Sequence, residues 1–534
     1  MARHRRGPPQ GPRRPARRRG HPDHQLRLDR QGQGRGPAAA GARDGAHRKA
    51  VRSEEITARQ PPTEMSYPPT KAPAAEVSPF DAPARWPLAL LAGSALVWLV
   101  LSSLLALVTS IQLHTPSFLA DCSALTHGRA QALRETAFLY GWAGNAGVGL
   151  GLWILGRLGG HPLRALNWAV VGTVFWNLGL LAGMVGIATG SMTGFSGLQV
   201  PRAVQPVLVA AFCAMALPGV LAWAGRKREG TYAAQWYAAA ALFLLPWFWT
   251  ATQAVLLWSP LRGVVQTIAV SWHTQSLVSL WLMPLALAAA YYIVPKQTGK
   301  LLPGYESAPL AFWTLIVCGG WSFGRHLIGG PVPAWIPTMA VVAQCLLLFH
   351  FLVVALNFRQ VFAGGSLTLQ YLRFGLVAYL LTGLLETITS FRGVGVHTQF
   401  TLLVPAMEQL TLQGALSMFL FGGLVYQFPR IIGRDWTLPT FVSGHGSLYM
   451  LGVVISVLSL GWAGLAQDAL LNHSQTPFAE ILVQLKMPLL LHTAGQFALL
   501  AGNVLLLVAF LRSAASSCCR EEGAASLRPA SSAS

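Results

Sequence analysis

Charge is scarce in this sequence. Charged residues make up 11% of 534 and hydrophobic residues 53%, with a mean hydropathy of +0.46. A soluble globular chain carries roughly a quarter charged residues, so that class is excluded. Cysteine is also sparse: six in all, which form no disulfide framework. Cys213, Cys318 and Cys345 fall inside apolar runs and read as small packing residues. Cys122 lies in a connection without an evident partner, and Cys518 and Cys519 are adjacent in a tail of small residues that reads as reduced thiols. The Cys-x-x-Cys-His motif is absent, which excludes covalent attachment of a c-type haem. No apolar targeting segment precedes the first long apolar run, so that run itself must direct insertion.

The sequence is instead rich in apolar runs of about 20 residues, long enough to cross a bilayer as helices. Twelve are expected, near 87–112, 135–157, 165–190, 203–226, 232–258, 263–295, 307–330, 332–358, 368–390, 399–429, 440–465 and 487–512. Unpaired backbone groups are not tolerated in lipid, so these are helices rather than open strands. The fold class read here is all-α, a polytopic membrane protein.

The net charge of +20 is uneven. Residues 1–64 hold sixteen basic and six acidic side chains, a net of +10 and half of the total. This Arg-, Pro- and Gly-rich stretch has almost no large apolar residue and cannot bury a core. An anionic-lipid or nucleic-acid arm would have this composition, but the break at Met65 favours a start there. We therefore read 1–84 as a disordered basic and Pro-rich segment whose first 64 residues are not translated, 85–512 as the membrane domain and 513–534 as a disordered tail. Nucleic acid is not an expected partner; membrane lipid is. Basic residues concentrate in alternate connections (Arg157, Arg164, Arg226, Lys296, Arg359, Arg430 and Arg434 against Arg129, Arg202, Arg262 and Arg392), which places both termini on the cytoplasmic side.

Four segments carry a resemblance. They are ETAFLYGWAGNAGVGLGLWILGRL in the second run, the Tyr-Tyr-x-Val-Pro-Lys exit at 291–296 in the sixth, FWTLIVCGGWSFGRHLIGGPVPAW in the seventh, and PAMEQL followed by LVYQFPRIIGR in the tenth. Over about residues 87–512 the chain resembles subunit I of the C-family, cbb(3)-type haem-copper cytochrome c oxidases. The resemblance implies a bacterial cytoplasmic membrane, a bundle of about twelve helices and association with cytochrome c-type or other membrane subunits of a respiratory complex. It also implies two haems, one low-spin and one high-spin, and one copper.

The same resemblance assigns the ligand positions, and most carry another residue. The low-spin haem positions fall on Arg134 and Gln409, and the high-spin haem position on Met407. The copper positions fall on Gln275, Arg325 and His326, and the tyrosine position on Gly319. Arginine has no lone pair to give iron. A thioether such as that of Met407 can ligate haem iron, but its partner positions fail, so it reads as apolar filler. His273, His350 and His397 are single histidines that read as hydrogen-bonded interior residues. No haem or copper is therefore expected, and no catalytic residue. The expected function is that of a non-catalytic paralogue serving as scaffold or partner; the alternative is a working terminal oxidase coupling oxygen reduction to proton movement.

Glu408, read as mid-span, and Arg325 are too costly to leave unpaired in lipid. With Gln275 they are expected to form a polar network in which Arg325 and Glu408 approach each other, directly or through water or that amide. The composition break gives a separate prediction: mass spectrometry of the natively expressed protein should find the first residue at or near Ser66. Peptides from residues 1–60 at normal abundance would contradict it.

Overall fold

The computed structural model describes residues 77–226, 230–259, 261–472 and 476–526, with side chains as far as residue 516. These residues belong to one unit, Ser66–Ser534. The expectations for residues 1–64, and for 1–84 as far as residue 76, lie outside the described residues.

Among the described residues twelve long helices run in chain order, besides shorter ones such as Arg392–Thr398 and Phe478–Gln484: α1 Arg85–His114, α2 His127–Gly159, α3 Leu166–Thr189, α4 Gln205–Ala224, α5 Ala233–Trp258, α6 Val264–Thr298, α7 Ala308–Trp321, α8 Trp335–Ala363, α9 Leu367–Ser390, α10 Leu403–Ile432, α11 Pro439–Leu471 and α12 Lys486–Ser526. Eleven are long and apolar enough to cross a membrane, and the described residues contain no strand. The exception is α7, which was expected to reach residue 330. Its last turn tightens into a 3-10 segment, Ser322–Leu327. Gly329 then takes a left-handed backbone, and Pro331 and Pro333 bar a return to helix. At the other limit, α12 continues past residue 512, where the tail was expected to begin, as far as Ser526.

Burial sorts the helices into two shells. The most apolar stretches of α2, α6 and α10 are 89%, 94% and 89% buried, whereas those of the other spans are 39–56% buried. These three form the inner wall and the rest present one face outward. Each inner helix also contains a wide π turn, at Ala137–Gly144, Leu277–Leu282 and Leu410–Leu416. Such turns shift the register of side chains along a helix and recur at functional sites. Around the inner wall, α3 packs on α4, α11 on α12, α12 on α1, and α9 on α10.

Without a hydrophobic drive between helices in lipid, close approach through small residues does much of the packing. At Gly172 on α3, an added Cβ would lie 2.3 Å from the Met215 backbone nitrogen of α4. Backbone cannot yield as a flexible side chain can. One end of the bundle is pinned by Asp81, which is buried ahead of α1. Its carboxylate accepts from Trp153 Nε1 at 3.1 Å and from Arg157 Nε at 2.9 Å, and pairs with the same guanidinium through Arg157 Nη2. Gly172→Val should therefore destabilise the protein by about 1–3 kcal/mol, the usual cost of overpacking. A thermal midpoint in detergent equal to that of the unaltered protein would refute this close contact.

Candidate functional site

The inner helices surround a cavity of about 530 Å³. The six expected ligand positions and Glu408 line it: Arg134, Gln275, Arg325, His326, Met407, Glu408 and Gln409. They come from α2, α6, the turn after α7, and α10, so the fold brings together positions spread over 275 residues of sequence.

Arg325 is its centre. The residue is 8% exposed; Nη1 donates to Gln275 Oε1 at 2.9 Å and to the Ser322 carbonyl at 3.0 Å. Nη2 lies 3.3 Å from Glu386 Oε2 on α9. Arg325 does meet Gln275, but among the described residues that amide makes no hydrogen bond to Glu408, so the expected bridge is not formed; the acidic partner of Arg325 is Glu386. The reason is local. Residues 399–401 are not helical, and Phe400 has a left-handed backbone, so α10 starts only at Leu403. Glu408 thus sits, exposed, in the second turn of α10 rather than at mid-span, on the cavity that Arg134 also lines. Arg134 is the eighth residue of α2, in its third turn.

The remaining positions are engaged in ordinary ways. The Met407 thioether accepts from Thr389 Oγ1 at 3.7 Å. Gln409 is buried with no partner for its Oε1. A Cβ at Gly319 would meet Ser279 Cβ at 3.0 Å, and Ser279 Oγ donates to the Gly319 carbonyl at 3.1 Å, so an aromatic side chain has no room there. His326, accessible and on the cavity wall, accepts through its backbone carbonyl from Gln399 Nε2 at 2.5 Å.

The single histidines divide. His350 is fully buried, with Nδ1 donating to the Ala311 carbonyl at 2.7 Å and Nε2 accepting from the Tyr379 hydroxyl at 2.8 Å. His273 is likewise interior, with Nδ1 2.9 Å from Thr252 Oγ1. His397 differs from expectation: it is exposed on a short helix, Arg392–Thr398, with Nδ1 3.4 Å from Asp468.

Sequence reading missed several cavity residues. Glu386 follows Tyr379 and Thr382 at helical spacing on α9, and all three line the cavity. Glu135 accepts from Gln131 Nε2 at 2.9 Å and Gln199 Nε2 at 2.5 Å. On α12, His492, Gln496, Leu499 and Asn503 recur at steps of four, three and four, which puts one polar stripe on the cavity face. That spacing, and a lone glutamate in an apolar helix, were the signals available. Among the described residues no group of three or more His, Cys, Asp or Glu side chains could hold a metal ion.

Comparison with known proteins fits this architecture. Residues 87–498 match the family described as cytochrome C and quinol oxidase polypeptide I. The chain is 22% identical over 389 residues to the Cbb3-type cytochrome c oxidase subunit CcoN1 of Stutzerimonas stutzeri, covering 70% of this chain and 81% of that protein. It is 23% identical over 406 residues to a cytochrome c oxidase subunit 1 homolog of Agrobacterium tumefaciens, covering 69% and 71%. A solved heme-copper terminal oxidase dimer aligns with a TM-score of 0.64 at 14% identity, covering 80% of this chain and 84% of that one, a likeness of fold. With its helices ordered around this cavity and most of its length matched, the chain belongs to the cytochrome c and quinol oxidase polypeptide I family of multi-pass membrane proteins.

Proposed function

We propose that this family member is a non-catalytic paralogue, a subunit I scaffold that serves as partner or structural component in a respiratory-type membrane complex. The observation that carries the reading is the Gln275–Arg325–Glu386 network at positions where the family resemblance calls for copper ligands. A guanidinium cannot donate to a metal, and its positive charge opposes a cation beside it. Arg134 brings the same objection to the low-spin haem position. His326 is the one imidazole among the six expected ligand positions, so the residues do not fit two haems and a copper. Membership in a family does not carry its chemistry when the site lacks the donors. The expected setting is a bacterial cytoplasmic membrane with both termini inside and other membrane or cytochrome c-type subunits as neighbours.

A second reading, a working terminal oxidase, draws on the family membership and on the imidazoles of His326 and His492 on the cavity wall. Spectroscopy separates the two. Purified protein is expected to show no b-type α-band in the reduced-minus-oxidised visible spectrum and no stoichiometric copper by elemental analysis. One haem per chain would sink the non-catalytic reading.

The polar network makes its own prediction. Arg325→Gln and Glu386→Gln each leave a charge without its partner, while the double change leaves none. Thermal unfolding in detergent should show a coupling of about 0.5–3 kcal/mol between the two sites. Strict additivity would contradict a direct ion pair.

A further inference from the structure

The cavity holds two opposite charges that the protein does not satisfy. Neither Arg134 nor Glu408 takes part in an ion pair within 4.0 Å among the described residues. Both line the cavity, as does Glu135, the neighbour of Arg134 in sequence. The other cavity carboxylates have their own partners: Glu386 has Arg325, and Glu135 has the amides of Gln131 and Gln199. A guanidinium and a carboxylate that line one cavity without pairing can be bridged by a molecule that bears both complementary charges.

The size and lining of the cavity point the same way. Part of its wall is apolar, with Phe138, Leu277 and Leu499 among its residues. The volume of about 530 Å³ lies within the roughly 300–1,000 Å³ usual for small-molecule sites, and apolar walls with a few placed polar groups are the usual build.

We propose that the cavity is a binding site for a small zwitterion of amino-acid type with an apolar side chain. Its carboxylate would lie on the Arg134 guanidinium, which offers the forked geometry that carboxylates favour. Its ammonium would lie on the Glu408 carboxylate. The apolar side chain would cover the Phe138 and Leu277 wall. The proposal rests on the reading that no haem occupies the cavity.

The test is equilibrium dialysis of full-length protein in detergent with radiolabelled leucine, phenylalanine and methionine. Two analogues of leucine serve as competitors: 3-methylbutylamine, which lacks the carboxylate, and 4-methylpentanoate, which lacks the ammonium. At least one of the three amino acids should bind saturably. Each single-charge analogue should compete at least about tenfold more weakly, the effect of losing one charged contact. Arg134→Gln should weaken the zwitterion and 4-methylpentanoate but spare 3-methylbutylamine; Glu408→Gln should do the reverse. If a variant fails to fold, the competition series on unaltered protein decides by itself. Absence of binding by all three amino acids, or equal affinity for the single-charge analogues, would overturn the proposal. The visible spectrum of the same preparation separates the failures: a haem band overturns this proposal and the non-catalytic reading together, whereas no haem and no binding overturns this proposal alone.

Discussion

A charge inside an apolar bundle needs a counter-charge, and the interior of this protein is arranged around that constraint. Arg325 follows the shortened helix α7, and its guanidinium reaches Gln275 on α6 and Glu386 on α9. Three elements far apart in sequence are thereby tied at one point. An unpaired arginine at membrane depth costs on the order of 2.5–3.5 kcal/mol even on insertion scales that allow for local adjustment. The tie converts that liability into a contact that fixes where α7 ends relative to α6 and α9. The cavity wall depends on that relation, because all three residues line it.

Elsewhere the bundle is close-packed. Tyr140, Trp176, Trp249 and Trp281 form a buried aromatic cluster between α2, α3, α5 and α6, with ring centroids 5.1–6.3 Å apart. The Trp176 indole donates to the Tyr140 carbonyl at 3.1 Å within it. Toward the end of the bundle that holds Asp81, Arg157 and Arg430 lie over the rings of Trp153 and Tyr426, and Arg226 lies over Trp223. The polar cavity is therefore a local feature, set among the wide turns of three inner helices, and not a general looseness of packing.

The fold was legible because apolar runs long enough to cross a bilayer admit only one backbone solution. Eleven of the twelve expected runs became helices that meet the criteria for a span. The seventh run is shorter than its apolar length suggests, because α7 tightens into a 3-10 segment after Trp321 and Gly329, Pro331 and Pro333 then bar a return to helix. The candidate site was legible as a set of positions: Arg134, Gln275, Arg325, His326, Met407, Glu408 and Gln409 share one cavity. Their pairing was not. Glu386 sits in a helix that the family resemblance gave no reason to search, and the start of α10 moved Glu408 away from mid-span. Contacts between helices distant in sequence depend on helix ends and π turns, which a one-residue error in either would change.

The central claim is that polar side chains of this chain, and not metal cofactors, organise the cavity. A cryo-EM map of the purified protein at side-chain resolution tests it most directly. Continuous density should run from the Arg325 guanidinium to Glu386 and Gln275, with no planar macrocycle in the cavity. Porphyrin-shaped density bound through His326, Met407 or His492, with Arg325 turned away from Glu386, would contradict it.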